Sequence, residues 1–195
     1  RALTDALAAP GQTLASVGDA APLLEGGGVI SADYRVGLGV HAALETASAA
    51  AAYRDGRLEL WMPTAAPAAA RAAAARVAGL SPGAVVIHRT LAGGDFGARL
   101  ETVIAEQAAL LTMQLKRPVN LVWSRGEETL HDRFRPPARA TLRARLSSNG
   151  AIAAWDAAIA APATGHALAR RLLPGAAALL GRGDPYAVAG ATPVY

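Results

Sequence analysis

The stretch AGGDFGARLE, residues 92–101, holds the residue types best suited in this chain to meeting a ligand. Gly93, Gly94 and Gly97 surround Asp95 and Phe96. Glycine tolerates positive φ and lets backbone N–H groups approach another molecule closely. A helical pattern follows the loop at once. A helix N-terminus carries free N–H donors and partial positive charge, and so can seat an anion. The glycine spacing matches neither GxGxxG nor GxxxxGK[ST]. On spacing alone, a tight strand-to-helix turn without a ligand is an equal reading.

Other chemistry is bounded by what the chain lacks. There is no cysteine, which excludes disulfides, thiolate metal sites and thiol nucleophiles. The four histidines, His41, His88, His131 and His166, form no HxH or HxxxH pair. No protein-ligated metal site is expected, and no catalytic residue is assigned. His41 and Glu45 read as ordinary hydrogen-bonding partners. Arg125, Glu127, Glu128, His131, Asp132, Arg133 and Arg135 read as a solvated face or a salt-bridged loop. Lys116 is the only lysine, so the formal charge of +4 rests on arginine. Arginine suits forked contacts with phosphate and carboxylate; a compositional bias shared with the abundant alanine is the favoured explanation. Basic residues are not interleaved with aromatics and no nucleic-acid-binding module is present, so no nucleic-acid partner is expected.

The elements that must position the loop follow from pattern. Residues 1–28 hold a short Ala/Leu helix, a turn at Pro10-Gly11 and a GGG break. VISADYRV (29–36) alternates like a strand. Residues 47–63 read as a hairpin turning at Asp55-Gly56, a type I′ pair. Residues 66–80 read as a helix, with Pro67 in its first turn and Gly79 at its end. AVVIHRTL (84–91) is a β-branched strand leading into the loop, and residues 100–115 form a helix stopped by Lys116-Arg117-Pro118. VNLVW (119–123) is a strand, and residues 139–161 are a second hairpin turning at Asn149-Gly150. Trp61, Trp123 and Trp155 lie on apolar strands and read as core. With 52% hydrophobic residues but only 5% aromatic, the core is built from small side chains. The fold class is therefore α+β: a layered mixed sheet with hairpins and two main helices. The division expected is a linker over 1–28, the α+β domain over 29–161, and an extension over 162–195.

In this order the elements resemble the molybdenum-cofactor-binding part of the xanthine dehydrogenase and aldehyde oxidase superfamily. The branch it resembles most is the isoquinoline 1-oxidoreductase beta (large) subunit type. That family carries a strand, a loop of the form GGGFGRRLE or GGGFGGKE, and a helix; here the element reads LAGGDFGARLE. Upstream, the run from Tyr34 through HAALET to PTAAP is similar to the family's HAxMEP, hairpin and PTQAP helix. Downstream, RPVNLVWSRGEETLHDRFRPPA is similar to its RPVKLVWSREED…HD.YRP run. The likeness covers residues 34–161 in unbroken order.

The resemblance implies a molybdenum–molybdopterin cofactor, in its cytosine dinucleotide form. It implies hydroxylation of an N-heterocycle or oxidation of an aldehyde with oxygen from water, and a small iron–sulfur subunit that receives the electrons. Gly93, Gly94, Phe96 and Gly97 match the cofactor-contact loop, and Glu101 matches more loosely a residue that contacts substrate. Asp95 departs from the family's glycine, and Ala65 from its glutamine. Asp95 is expected to face solvent or to cap the helix beginning near Ala98 or Arg99. A GxGE segment, which carries the family's catalytic Glu, does not occur here. With Arg1 in place of Met, the chain is expected to be a piece of a longer subunit, inactive and free of cofactor in isolation. A relative that has lost the cofactor and acts as a scaffold through protein contacts is the alternative. No apolar run reaches the ~20 residues of a membrane span. The bacterial cytoplasm and periplasm are both open.

Overall fold

The computed structural model describes residues 2–172, which form two compact units: one from the residues up to Gly39 together with those from Pro136 onward, the other Val40–Arg135. The second unit carries the loop.

In that unit, strands β2 (Ser48–Arg54) and β3 (Arg57–Pro63) form the expected hairpin. Asp55 at φ 49° and Gly56 at φ 78° give the two positive φ angles a type I′ turn demands. Helix α3 (Pro67–Ala78) then returns the chain to strand β4 (Val85–Thr90), which pairs parallel with β3. Alanine favours the helix and Pro67 suits its first turn, where an N–H would be orphaned anyway. Gly79 at φ 67° ends it, with the Leu80 and Gly79 amides donating to the Ala75 and Arg76 carbonyls in a Schellman arrangement. Helix α4 (Val103–Leu115) follows the glycine loop, and strand β5 (Val119–Val122) pairs antiparallel with β2. The sheet order is β4-β3-β2-β5.

Both helices pack on one face of this sheet. Leu58, Leu60 and Met62 of β3 alternate toward them, as do Ala49 and Ala51 of β2. Nine of the fourteen buried core residues are alanine, so the expectation of a core built from small side chains is met. Ala105, Ala108 and Ala109 of α4 face Ala70, Ala74 and Ala75 of α3, which lets the helices approach closely. Thr112, buried on α4, donates to the Ala51 carbonyl and ties helix to strand.

The other unit is an antiparallel sheet of β1 (Val29–Val36), β6 (Ala138–Leu146) and β7 (Ile152–Ala160), in the order β1-β6-β7. Short helices α1 (Ala2–Ala8) and α2 (Ala21–Leu24) pack on it. Here three arginines of β6 bind neutral oxygen acceptors. Arg143 and Arg145 donate to the carbonyls of Leu24 and Leu23 at the open end of α2, and Arg139 donates to Thr4 of α1. Arginines at a helix C-terminus satisfy carbonyls that have no partner within the helix.

Three expectations need correction. Trp61 and Trp155 are 39% and 51% exposed rather than core. The alternation that turns Leu58, Leu60 and Met62 inward sends Trp61 to the opposite face, where it stacks on His88 with ring centroids 4.9 Å apart. Helix α4 begins three residues later than expected, after a 3₁₀ turn over Ala98–Leu100. The charge run contains helix α5 (Arg125–Leu130), capped by the Ser124 hydroxyl, which accepts from the Glu127 amide. A sixth helix, α6 (Thr164–Leu172), lies in the weakly patterned tail. Among the described residues no helix is long and apolar enough to cross a membrane.

An alanine-lined interface leaves no room for growth. Ala108→Leu should lower unfolding free energy by about 1–3 kcal/mol, the usual cost of overpacking, read from urea denaturation.

Candidate functional site

The loop between β4 and the 3₁₀ turn has three positive φ angles: Gly93 at 60°, Phe96 at 53° and Gly97 at 101°. Two of its three glycines, Gly93 and Gly97, use the positive φ that glycine tolerates. Phe96 is the unusual member, because a β-carbon in left-handed space costs of order 1–3 kcal/mol. Its ring is 69% exposed, so no burial offsets that strain within the chain. A β-carbon placed on Gly93 or Gly94 would meet nothing within 4 Å. The N–H groups of Gly93, Gly94, Asp95 and Phe96 donate to no described residue. Gly93, Gly94 and Phe96 are exposed and Asp95 partly so, which leaves four consecutive amides near the surface with no acceptor among the described residues.

Asp95 does not point at these donors. Its Oδ1 accepts from the Gly97 amide at 2.8 Å, and its carbonyl accepts from the Ala98 amide at 3.0 Å. The carboxylate takes an N–H two residues on, as foreseen, but as an Asx turn that opens the 3₁₀ turn rather than as the cap of α4.

What holds the loop in place is Arg99, only 5% exposed. Its carbonyl accepts from the Ala65 amide at 3.0 Å and from the Thr64 hydroxyl at 3.4 Å. Thr64 Oγ1 in turn accepts from the Ala66 amide at 3.0 Å. The PTAAP segment therefore clasps the loop through backbone, and the step from Gln to Ala65 leaves that clasp intact. On the other side, the Arg99 guanidinium donates to the Glu45 carbonyl, and its Nη1 lies 3.7 Å from Glu128 Oε1. Glu128 is 9% exposed and also accepts from the Ala47 amide at 3.0 Å and from Arg125 at 2.5 Å. Arg125 reaches on to the Leu44 carbonyl at 2.9 Å. Four segments distant in sequence, 44–47, 63–66, 97–99 and 125–128, are fastened at one point. The Nε of Arg99 is buried without a partner.

Beside this knot lies a small cleft walled by Arg99, Glu101, Trp123, Glu128, Asp132 and Arg133. Glu101 is largely buried and lies 3.7 Å from Arg133. At its edge Asp132 grips His41 twice: Oδ2 accepts the His41 amide at 2.6 Å and Oδ1 meets Nδ1 at 2.7 Å. His41 and Glu45 are hydrogen-bonding partners, as read from the sequence, Glu45 through its backbone. Among the described residues no group of three His, Asp or Glu could hold a metal ion.

The structure brings together Gly93, Gly94, Phe96 and Gly97 in one exposed loop, with Glu101 beyond the 3₁₀ turn. Sequence reasoning passed over Arg99 and Thr64, and read Glu128 and Asp132 only as members of a solvated face or a salt-bridged loop. Arg99 and Glu128 stand in ordinary charged stretches, 29 positions apart. Only the tertiary fold shows that they are buried together, and no local pattern marks them.

Two stability predictions follow from these contacts. Removing one member of a buried ion pair strands the other, so Glu128→Ala should cost about 3–5 kcal/mol. Gly97→Ala should cost roughly 1 kcal/mol or more through backbone strain, whereas Gly94→Ala should be close to neutral, because no positive φ and no neighbour opposes it. Denaturant midpoints of the three variants check both; equal effects at Gly94 and Gly97 would contradict the loop conformation.

Comparison with known proteins gives a consistent picture. The family model for the molybdopterin cofactor-binding domain matches residues 7–190. The beta subunit of isoquinoline 1-oxidoreductase from Brevundimonas diminuta is 32% identical over 83 residues, which is 43% of this chain and 11% of that protein. Among solved structures, the aldehyde oxidoreductase of Desulfovibrio gigas matches with a TM-score of 0.61 at 21% identity, covering 72% of this chain and 16% of its own. Quinoline 2-oxidoreductase of Pseudomonas putida 86 matches with a TM-score of 0.61 at 24% identity, covering 71% and 18%. At such identity the structures speak for the fold. The chain spans less than a fifth of the length of each of these three proteins. It belongs to the molybdopterin cofactor-binding domain family, found in the large subunits of the xanthine dehydrogenase and aldehyde oxidase superfamily.

Proposed function

We propose that this chain is the first part of the cofactor-binding region of a molybdenum hydroxylase large subunit, and that residues 93–97 lie against the cofactor. The observation that carries this reading is the row of four amides, Gly93 to Phe96, that lie in a surface loop and have no acceptor among the described residues. Such a row suits an anionic group rich in oxygen and sulfur, because consecutive N–H dipoles form an anion-binding concavity. The residues present fit that group. Gly93 and Gly94 leave the approach clear, Gly97 supplies the turn, and Phe96 offers an exposed apolar wall. Asp95 is the one residue whose charge would oppose an anion, and its carboxylate is engaged by the Gly97 amide. That engagement favours the enzyme reading over a cofactor-free scaffold.

When bound, a molybdenum ion on a pyranopterin dithiolene, here the cytosine dinucleotide form, supplies two-electron oxidation of an N-heterocycle or aldehyde with oxygen from water. This chain's part is to bind and orient. The loop amides hold the anionic face, Phe96 excludes water from one side, and Glu101, steadied by Arg133, faces the cleft where it is a loose candidate for substrate contact. The catalytic Glu of the family belongs to a GxGE segment that these 195 residues do not contain. The isolated piece is therefore inactive, and a small iron–sulfur subunit takes the electrons from the full-length protein.

Gly94→Val tests the reading in the full-length subunit. No positive φ opposes a side chain there and its β-carbon meets nothing within 4 Å, so valine would add bulk on the exposed side of the loop. Molybdenum content should fall at least about tenfold, the effect of a steric cost near 1.4 kcal/mol, with the unfolding midpoint unchanged. Full occupancy in the variant would overturn the reading.

A further inference from the structure

We infer that His41 is a contact residue for the anionic group seated on the Gly93–Gly97 loop, with Asp132 as the residue that positions it; this rests on the cofactor reading above. Three observations carry it. Asp132 holds the histidine at two points, its amide and its Nδ1, so the ring has one orientation relative to its own backbone. A carboxylate only accepts, so Nδ1 carries a proton and donates it to Asp132. The other nitrogen, Nε2, is turned toward the loop: it lies 4.0 Å from where a β-carbon on Gly97 would stand, the one neighbour within that distance. Among the described residues Nε2 makes no hydrogen bond, and it is not among the polar atoms buried without a partner, so part of its surface is open.

Asp132 is 8% exposed at its side chain and His41 12%, which places the couple largely out of water. Little in the couple serves stability that needs the second nitrogen. With Nδ1 donating to Asp132, Nε2 adds a donor beside the loop amides only in the imidazolium, where both ring nitrogens donate, so the contact proposed is that of the doubly protonated ring paired with Asp132. It also explains why the loop turns on glycine there: a side chain at 97 would stand between the imidazole and the bound group. The charged groups around the couple are Asp132 itself, with Arg99, Glu101, Glu128 and Arg133, and the titratable His131, lining the same cleft.

The test uses the full-length subunit and separates the two nitrogens. In His41→Asn the side-chain amide can replace Nδ1 and keep Asp132 bound, while the Nε2 position is lost. In His41→Gln the amide reaches the Nε2 position. Molybdenum retained after extended gel filtration, and the unfolding midpoint, are measured for each. His41→Asn should release molybdenum at least about tenfold faster than the wild type with its midpoint unchanged, as expected for one lost hydrogen bond to a charged group. His41→Gln should restore most of the retention. If His41→Asn retains molybdenum as the wild type does, the inference is wrong. Should neither variant fold, carbethoxylation of wild-type His41 by diethyl pyrocarbonate, followed by peptide mass, gives the same decision. The modification should be several-fold slower in the loaded protein than in the cofactor-stripped one, and equal rates would overturn the inference. Wild-type protein that carries no molybdenum at all would instead defeat the cofactor reading, and so the two failures are distinguishable.

Discussion

Arg99 is buried between two kinds of acceptor, and the geometry of the loop depends on it. Its carbonyl is held by the amide of Ala65 and the hydroxyl of Thr64, and its guanidinium by the Glu45 carbonyl and the Glu128 carboxylate. Burying a charge is costly unless it is paired and hydrogen-bonded. Here the cost is offset only when segments 44–47 and 125–128 are both in place, while segment 63–66 holds the backbone of the same residue. The loop is thereby anchored at its C-terminal end, while its glycine-rich half is left without internal bonds. A rigid base under an open row of donors is what a binding loop needs, since donors fixed beforehand lose little freedom when a ligand arrives.

Most of the frame was legible in the sequence, because its signals are local. Asp55-Gly56 marked the first hairpin and Asn149-Gly150 the second; both pairs lie between strands. Pro67 and Gly79 bracketed α3 to within a residue or two at each end. β1 was read at its full extent. Failures came where tertiary context overrides local pattern. Trp61 is apolar but falls on the outer register of β3, and the inner register was already occupied by Leu58, Leu60 and Met62. The run 125–135 read as a solvated face or a salt-bridged loop; Arg125 and Glu128 do pair, but charge density alone cannot reveal that Glu128 also turns inward to meet Arg99.

The candidate site divides in the same way. Gly93, Gly94, Phe96 and Gly97 stood out by composition, and the positive φ at three of them follows from forcing a strand into a 3₁₀ turn within a few residues. The supporting residues did not stand out. His41 and Asp132 lie 91 positions apart and meet only in the fold. Asp95, which read as an electrostatic objection to an anionic ligand, proves to be an Asx-turn residue with its charge directed at the Gly97 amide. A carboxylate spent on the loop's own backbone shapes the turn without occupying the donor row.

Hydrogen–deuterium exchange of the loop amides tests this account most directly. In the full-length subunit, residues 93–96 should exchange at least about tenfold more slowly in the cofactor-loaded protein than in the cofactor-stripped one, since a bound acceptor protects an amide as an internal hydrogen bond does. The exposed hairpin turn at Asp55-Gly56 should exchange equally in both. Equal exchange at residues 93–96 in the two forms would mean that the donors do not meet the cofactor, and would contradict the role assigned to this loop.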